Sequence, residues 1–346
     1  MLQQLRAQLK QKENLWRTET GINPPEISYF KEGINSDEDI PFAEQRIAVT
    51  QEVDFPLTTI YRQKAIKEEL KSLAFQIQAY ERELKAEVKS QYVEVLYALY
   101  LQNLRENQVT LARNLYNAVY TKYETGMATG VDINNAELQL NQAKNDLDES
   151  EWILHRARYG LFNAMGLAIE DQKYSITFSD TLIAEDIEIS QIQSLSMQDQ
   201  QPEYQASEHE LMATELYLKE VKSNILPDIR FSLYKQDYGS GYNFNGFEVG
   251  LRIPIWYPFE QRGNINITNY KKEEILWKQN EIKLNIKKQI EFAWHNYSVS
   301  RKILKRYDDS MKDQANNLQS MALKSYQLGK IGLLDLLNAQ QTYLNS

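Results

Sequence analysis

The chain has 346 residues, no cysteine, a mean hydropathy of -0.58 and a formal net charge of -9. Its 48 acidic side chains outnumber 39 basic ones that are dispersed along the sequence, which argues against a nucleic-acid binder, and the missing cysteines exclude a disulfide framework and a thiolate metal site. No stretch approaches the roughly 18 apolar residues of a membrane-spanning helix, whereas the weaker, alternating signal of a membrane β-barrel stays open.

The opening, Met1-Leu2-Gln3-Gln4-Leu5-Arg6, reads as the middle of a helix and lacks the basic start and apolar core of a signal peptide. A β segment follows: Pro25-Glu26-Ile27-Ser28-Tyr29 leads through an acidic loop at Asp37-Glu38-Asp39 to a run in which Ile47, Val49, Val53 and Phe55 alternate with Ala48, Thr50, Glu52 and Asp54. Period two with one apolar and one polar face predicts half-buried strands.

From Leu57 to Thr125 there is neither glycine nor proline for 69 residues. A helix of that length measures roughly 100 Å at about 1.5 Å per residue, far beyond an average helix. Leu70, Leu73, Ile77, Tyr80 and Leu84 step by threes and fours, as a coiled-coil seam does, and the rhythm shifts through Val88, Tyr92, Val95 and Leu99. A tip motif comes next, Tyr123, Gly126, Val131, Asp132, Ile133 and Ala136, followed by a return helix. One face of that helix carries Ile133, Ala136, Leu140, Ala143, Leu147, Ser150, Leu154, Ala157, Leu161 and Ala164. Alternating large and small residues let helices approach closely, as side-by-side packing of many helices needs, although an ordinary two-helix hairpin uses the same pattern.

A polar, acidic linker from Asp171 to Gln201 separates this half from a second copy. The copy runs through a helix, Pro202 to Ser223, then Pro227-Asp228-Ile229-Arg230-Phe231, a loop at Gly239-Ser240-Gly241, and Phe247, Val249, Leu251, Ile253 and Ile255 alternating with Glu248, Gly250, Arg252 and Pro254. At the passage into the next helix, Trp256, Tyr257 and Phe259 fit either an aromatic belt at headgroup level or a plug in the strand-to-helix junction. A second run free of breakers, Asn264 to Leu328, ends in Tyr326, Gly329, Leu334, Asp335, Leu336 and Ala339, every position 203 residues after its counterpart in the first tip. This repeat sets the expected organisation: residues 1–166 as first repeat, 167–201 as linker and 202–346 as second repeat, both repeats reading as clipped at the chain ends.

The runs Ile47 to Phe55 and Phe247 to Ile255 have nearly the roughly 9–11 residues a tilted strand needs to cross a bilayer. Four strands are too few to close a barrel, and an open sheet cannot sit in lipid. Three chains sharing one barrel supply twelve strands, an even number within the range of membrane barrels. The soluble alternative is a small sheet packed on the helix ends.

With this order of elements, Asn224-Ile225-Leu226-Pro227 before a strand, Gly250-Leu251-Arg252-Ile253-Pro254 ending another, and the two tip motifs, the chain resembles the TolC-type outer membrane efflux proteins over nearly its whole length. The resemblance implies a mainly α fold with a small β part: long coiled-coil hairpins forming an α-barrel, and four strands per chain completing a trimeric, 12-stranded transmembrane β-barrel. It implies a passive exit duct of a tripartite efflux pump or type I secretion system in the Gram-negative outer membrane, reaching into the periplasm. Expected partners are two further copies, outer membrane lipid, a periplasmic adaptor of the membrane fusion type and an inner-membrane pump; no cofactor is implied. Arg262-Gly263-Asn264 is similar to the pattern of members serving heavy-metal cation pumps.

Carried over residue by residue, Asp132 and Tyr326 occupy the positions that link the first hairpin to the second, and Asp335 occupies a ring position where three carboxylates attract cations. Gly126 and Gly329 end the helices that lead to the tips. The family's second ring aspartate falls on Asn338, and an arginine of a further link between protomers falls on Ile331, beside Lys330 as a substitute. Helix capping is an equally good reading of both aspartates. Two other architectures compete: a soluble coiled-coil scaffold, and a periplasmic adaptor, which needs only one hairpin per chain. No enzyme is expected. His155, His209 and His295 are far apart in the sequence, His209-Glu210 lacks the second histidine of a zinc protease helix, and Gly239-Ser240-Gly241 is a hairpin loop and no phosphate cradle.

Overall fold

The computed structural model describes residues 2–34, 42–167, 182, 190, 195–239, 243–255 and 257–345. In chain order the elements are α1 (Leu2–Thr18), β1 (Glu26–Glu32), β2 (Glu44–Val53), α2 (Pro56–Glu124), α3 (Gly130–Ala164), α4 (Pro202–Ser223), β3 (Asp228–Asp237), β4 (Asn243–Arg252), α5 (Tyr257–Arg306), α6 (Lys312–Gln327) and α7 (Leu333–Asn345). The expected acidic loop at Asp37-Glu38-Asp39, most of the linker from Asp171, residues 240–242 of the hairpin loop and Trp256 lie outside the described residues. Of Tyr257 and Phe259 only the backbone is described, so the aromatic belt stays an expectation.

The long runs are helical. α2 is unbroken for 69 residues, and α5 passes into α6 through one π turn, Tyr307–Met311, inside the second run. A π turn is a common place for a helix to carry an irregularity. Both strands of the alternating pattern are shifted from their expected bounds. β2 ends at Val53 and β4 at Arg252, so Phe55, Ile253 and Ile255 fall beyond the ladder. The reason is proline: Pro254 has no N–H to donate, and Pro56 opens α2, where a missing N–H costs nothing.

Clustering of contacts divides the chain into two compact units, and each draws on both halves of the sequence. The first comprises residues 1–81 and 192–289. It holds a single antiparallel sheet in the order β1-β2-β3-β4, in which β2 and β3 from the two halves pair from Gln45 with Asp237 to Val53 with Ile229. In the same unit α2 and α4 are joined by small buried residues, Ala65, Ala206 and Ala213 among them, and by polar ties. Ser72 donates to the Ala206 carbonyl at 2.8 Å, the Thr58 and Ser223 hydroxyls meet at 2.9 Å, and Arg62 bridges Asp54 (3.0 Å) and Glu220 (2.7 Å). Short side chains at these contacts let the backbones approach.

The second unit comprises residues 82–191 and 290–346. One of its cores joins α2 to α3 through Val95, Ala98, Leu154 and Leu161. The other lies by the tips: Leu115 and Val119 of α2, Ala136 of α3, Ala322 and Tyr326 of α6, and Leu333 and Leu336 of α7. Their spacing of three or four within each helix places each pair on one face.

Candidate functional site

Two places in the fold carry chemistry that sequence patterning singled out, one in each unit. In the first, pairing register decides which side chains share a face of the sheet. Ile27 lies opposite Val49, Val49 opposite Leu233, and Leu233 opposite Phe247; on the same face Tyr29 lies opposite Ile47, and Phe231 opposite Val249. All eight are exposed, Phe247 to 76% and Leu233 to 68%. A contiguous apolar face of this kind marks a surface meant for another apolar phase or a partner.

The opposite face is hydrophilic and internally tied. The Thr50 and Ser232 hydroxyls meet across the strands at 3.0 Å, Arg46 pairs with Glu248 at 3.1 Å, and Arg252 reaches Glu52 (2.9 Å) and Asp228 (2.8 Å). The Arg46 guanidinium also lies 4.0 Å over the Tyr234 ring, which itself crosses Gly246; a Cβ there would meet the ring at 2.4 Å. Such ion pairs add little stability at an exposed surface. Their effect is to keep one wall of the sheet wet while the other is bare hydrocarbon. Among the described residues no helix is long and apolar enough to cross a membrane.

In the second unit the two tips are built alike. Gly126 and Gly329 have φ of +76° and +70°, the left-handed conformation that ends a helix without a Cβ penalty. Gly126 N–H donates to Tyr123 O and Met127 N–H to Lys122 O; 203 residues on, Gly329 N–H donates to Tyr326 O and Lys330 N–H to Ser325 O. The return helices then start on the same device. Asp132 is the third residue of α3 and its Oδ2 accepts from the Thr129 N–H and hydroxyl, both at 2.8 Å, while Thr129 Oγ1 accepts from Asp132 N–H at 3.2 Å. At the second tip Asp335 Oδ2 accepts from Gly332 N–H at 3.3 Å, but glycine has no side chain to return the bond. The first tip thus has a full capping box and the second has half of one.

Both aspartates therefore serve helix capping from the third helical position, and sequence reasoning, which names the aspartates alone, leaves out the residues they cap with. The cap residue it missed, Thr129, was signalled by Thr-x-x-Asp ahead of an apolar periodic run. Hydrogen bonds from Thr129 hold the Asp132 carboxyl below the usual carboxylate range. A group ionised more easily when folded contributes stability above its unfolded pKa, and the contribution disappears as pH falls through the folded value. Asp132→Asn is accordingly expected to cost about 1 kcal/mol at neutral pH. The deficit should shrink toward zero as pH falls through the lowered folded value, where the parent carboxyl is protonated too. Thermal melts of both proteins from neutral pH down through the acid range read this directly; a pH-independent difference would refute it.

Tyr326 is 5% exposed, whereas its repeat counterpart Tyr123 is 46% exposed. Burial pushes the Tyr326 phenol's pKa up, and the nearby Asp132 carboxylate adds to the rise. The structure thus brings Asp132 and Tyr326 near each other, while the hydrogen bonds recorded for the carboxylate go to Thr129. The tie that crosses from hairpin to hairpin comes from Lys122, whose Nζ donates to the Tyr326 carbonyl at 2.7 Å and sits 4.0 Å over the Tyr326 ring. No local pattern announces this contact, since its partners are 204 residues apart. Asp335, Lys330 and Asn338 have exposed side chains, and Ile331 packs against the tip core.

No family model and no curated protein sequence matches the chain. Solved structures do. The outer-membrane channel OprN superposes with a TM-score of 0.83 at 13% identity, over 99% of this chain and 81% of its own. The outer membrane protein VceC of Vibrio cholerae gives 0.79 at 15%, over 99% and 86%, and the Campylobacter jejuni outer membrane channel CmeC gives 0.75 at 16%, over 99% and 76%. At such identities the likeness is one of fold, and it covers nearly the whole chain.

Proposed function

We propose that this chain, which has the fold of TolC-type outer membrane channels, is one protomer of a passive exit duct in the Gram-negative outer membrane. The observation that carries the reading is the sheet: four strands, one face bare hydrocarbon and the other tied and polar, with the outer edges of β1 and β4 unpaired among the described residues. In lipid every backbone group must be paired, so the edges have to meet those of other copies. An even, up-and-down set of four per chain lets β4 of one copy meet β1 of the next antiparallel, and three copies give a closed barrel of twelve. Its polar face then lines water.

The tips form the periplasmic end in this reading. Asp335, solvent-exposed and held by its cap bond, is the carboxylate placed to ring the axis, and a triple ring favours cations. The duct has no catalytic step; a periplasmic adaptor and an inner-membrane pump supply cargo and energy. Arg262-Gly263-Asn264, exposed at the start of α5, favours a heavy-metal cation pump as the narrower partner.

Light scattering in mild detergent and in plain buffer tests the proposal. A trimer of the 40.5 kDa chain formed only with detergent is expected. A mass indifferent to detergent would favour a soluble scaffold and remove the barrel.

A further inference from the structure

We infer that the π turn Tyr307–Met311 is a register corrector: it takes up the one residue by which the second repeat exceeds the first, and so positions the face that α6 turns to the tip core. The duct reading gives this positioning its functional meaning, although the corrector itself is defined within one chain.

The extra residue shows in the spacing of the repeat. Pro227 and Pro258 follow Pro25 and Pro56 by 202 residues, whereas Tyr326 and Gly329 follow Tyr123 and Gly126 by 203. Burial locates the change. Through α5 the inward positions keep the shorter spacing: Ile275 answers to Leu73, Ile286 to Leu84 and Tyr297 to Val95, all of them buried or half-buried. From Met311 onward they keep the longer one, as Met311 answers to Gln108, Ala315 to Ala112 and Ala322 to Val119. The added residue therefore enters between Tyr297 and Met311, and the π turn lies in that interval.

An α-helix turns about 100° per residue, so one residue added to a continuous helix swings everything beyond it to another face. Ala322 and Tyr326, both buried in the tip core, would rotate out of it. A π turn prevents this because its hydrogen bond spans one residue more than that of an α turn. Here the Lys312 N–H donates to Tyr307 O, five residues back. The first repeat has no added residue, and its α2 is α-helical without interruption for 69 residues.

Deletions at counterpart positions test the corrector. Ser310 and Asn107 correspond at the longer spacing, and both are exposed. Without Ser310 the helix closes as continuous α with its downstream face unchanged, and thermal unfolding in mild detergent is expected to match the parent's. Without Asn107 there is no surplus to release, so Leu115 and Val119 turn away from the tip core and the parent's cooperative transition is expected to be lost. The chain has no cysteine, so Ala322→Cys supplies a single thiol that reports the face directly. Its labelling by a maleimide is expected to be slow in the parent background and equally slow without Ser310. Protection is expected to vanish when Ser310 and Gln314 are both deleted, one residue more than the π turn can release. Damage from the Ser310 deletion equal to that from the Asn107 deletion overturns the corrector, as does full tolerance of the Asn107 deletion or a thiol exposed by removing Ser310 alone. Neither measurement needs a pore: a chain that forms no conducting trimer yet shows this pattern counts against the duct and leaves the corrector standing.

Discussion

For the shared barrel proposed above, Leu233→Arg is expected to abolish the membrane-inserted trimer. Leu233 sits mid-strand on β3, between Val49 and Phe247 on the apolar face, and is 68% exposed in the single chain. An arginine facing lipid near the bilayer midplane costs about 2–4 kcal/mol, and a symmetric barrel incurs that cost once per copy. The comparison is Glu248→Gln, next to Phe247 in sequence but on the polar face, where only an exposed pair with Arg46 is lost and about 0–1 kcal/mol is at stake. Detergent-resistant trimer in outer membrane fractions should vanish for the first and persist for the second. Equal amounts of both would mean that the apolar face does not meet lipid.

The second large effect is expected in the tip core. Leu336 is fully buried against α2, α3 and α6, so Leu336→Ala should destabilise the chain by about 2–5 kcal/mol through lost burial and a residual cavity. Leu334, two residues away, is 71% exposed, and Leu334→Ala should stay within about 0.5 kcal/mol of the parent. Urea titration of the three proteins measures the difference. Similar midpoints for the two variants would mean that the tip core does not hold the hairpins together.

Much of this is legible in the amino-acid sequence alone. Breaker-free runs gave the long helices because glycine and proline are the residues that end them, and period-two patterning gave the strand pairs and their apolar face. The alternating pattern overruns the strand end where an apolar residue lies past a proline, as with Ile255 beyond Pro254, because hydropathy alternation is blind to a missing N–H. At the tips the glycines were readable, since only glycine is comfortable at φ near +70°. The role of Asp132 was half readable: its capping partner is three residues away, but its influence on Tyr326 depends on how two distant hairpins pack. Lys122 was invisible for the same reason. Nothing in the sequence around it distinguishes a lysine that crosses to Tyr326 from one that points into water.

The sheet order has a consequence for how the chain reaches its native state. β2 pairs on one side with β1, nearby in sequence, but on the other with β3, and the Thr50–Ser232 bond joins residues 182 positions apart. The N-terminal hairpin must therefore wait, with one edge and its apolar face uncovered, until nearly two hundred further residues have arrived. Contacts of such high sequence separation form slowly, and a waiting strand edge is where chains stick to one another. The interval before β3 is present is therefore when aggregation competes with folding of this chain.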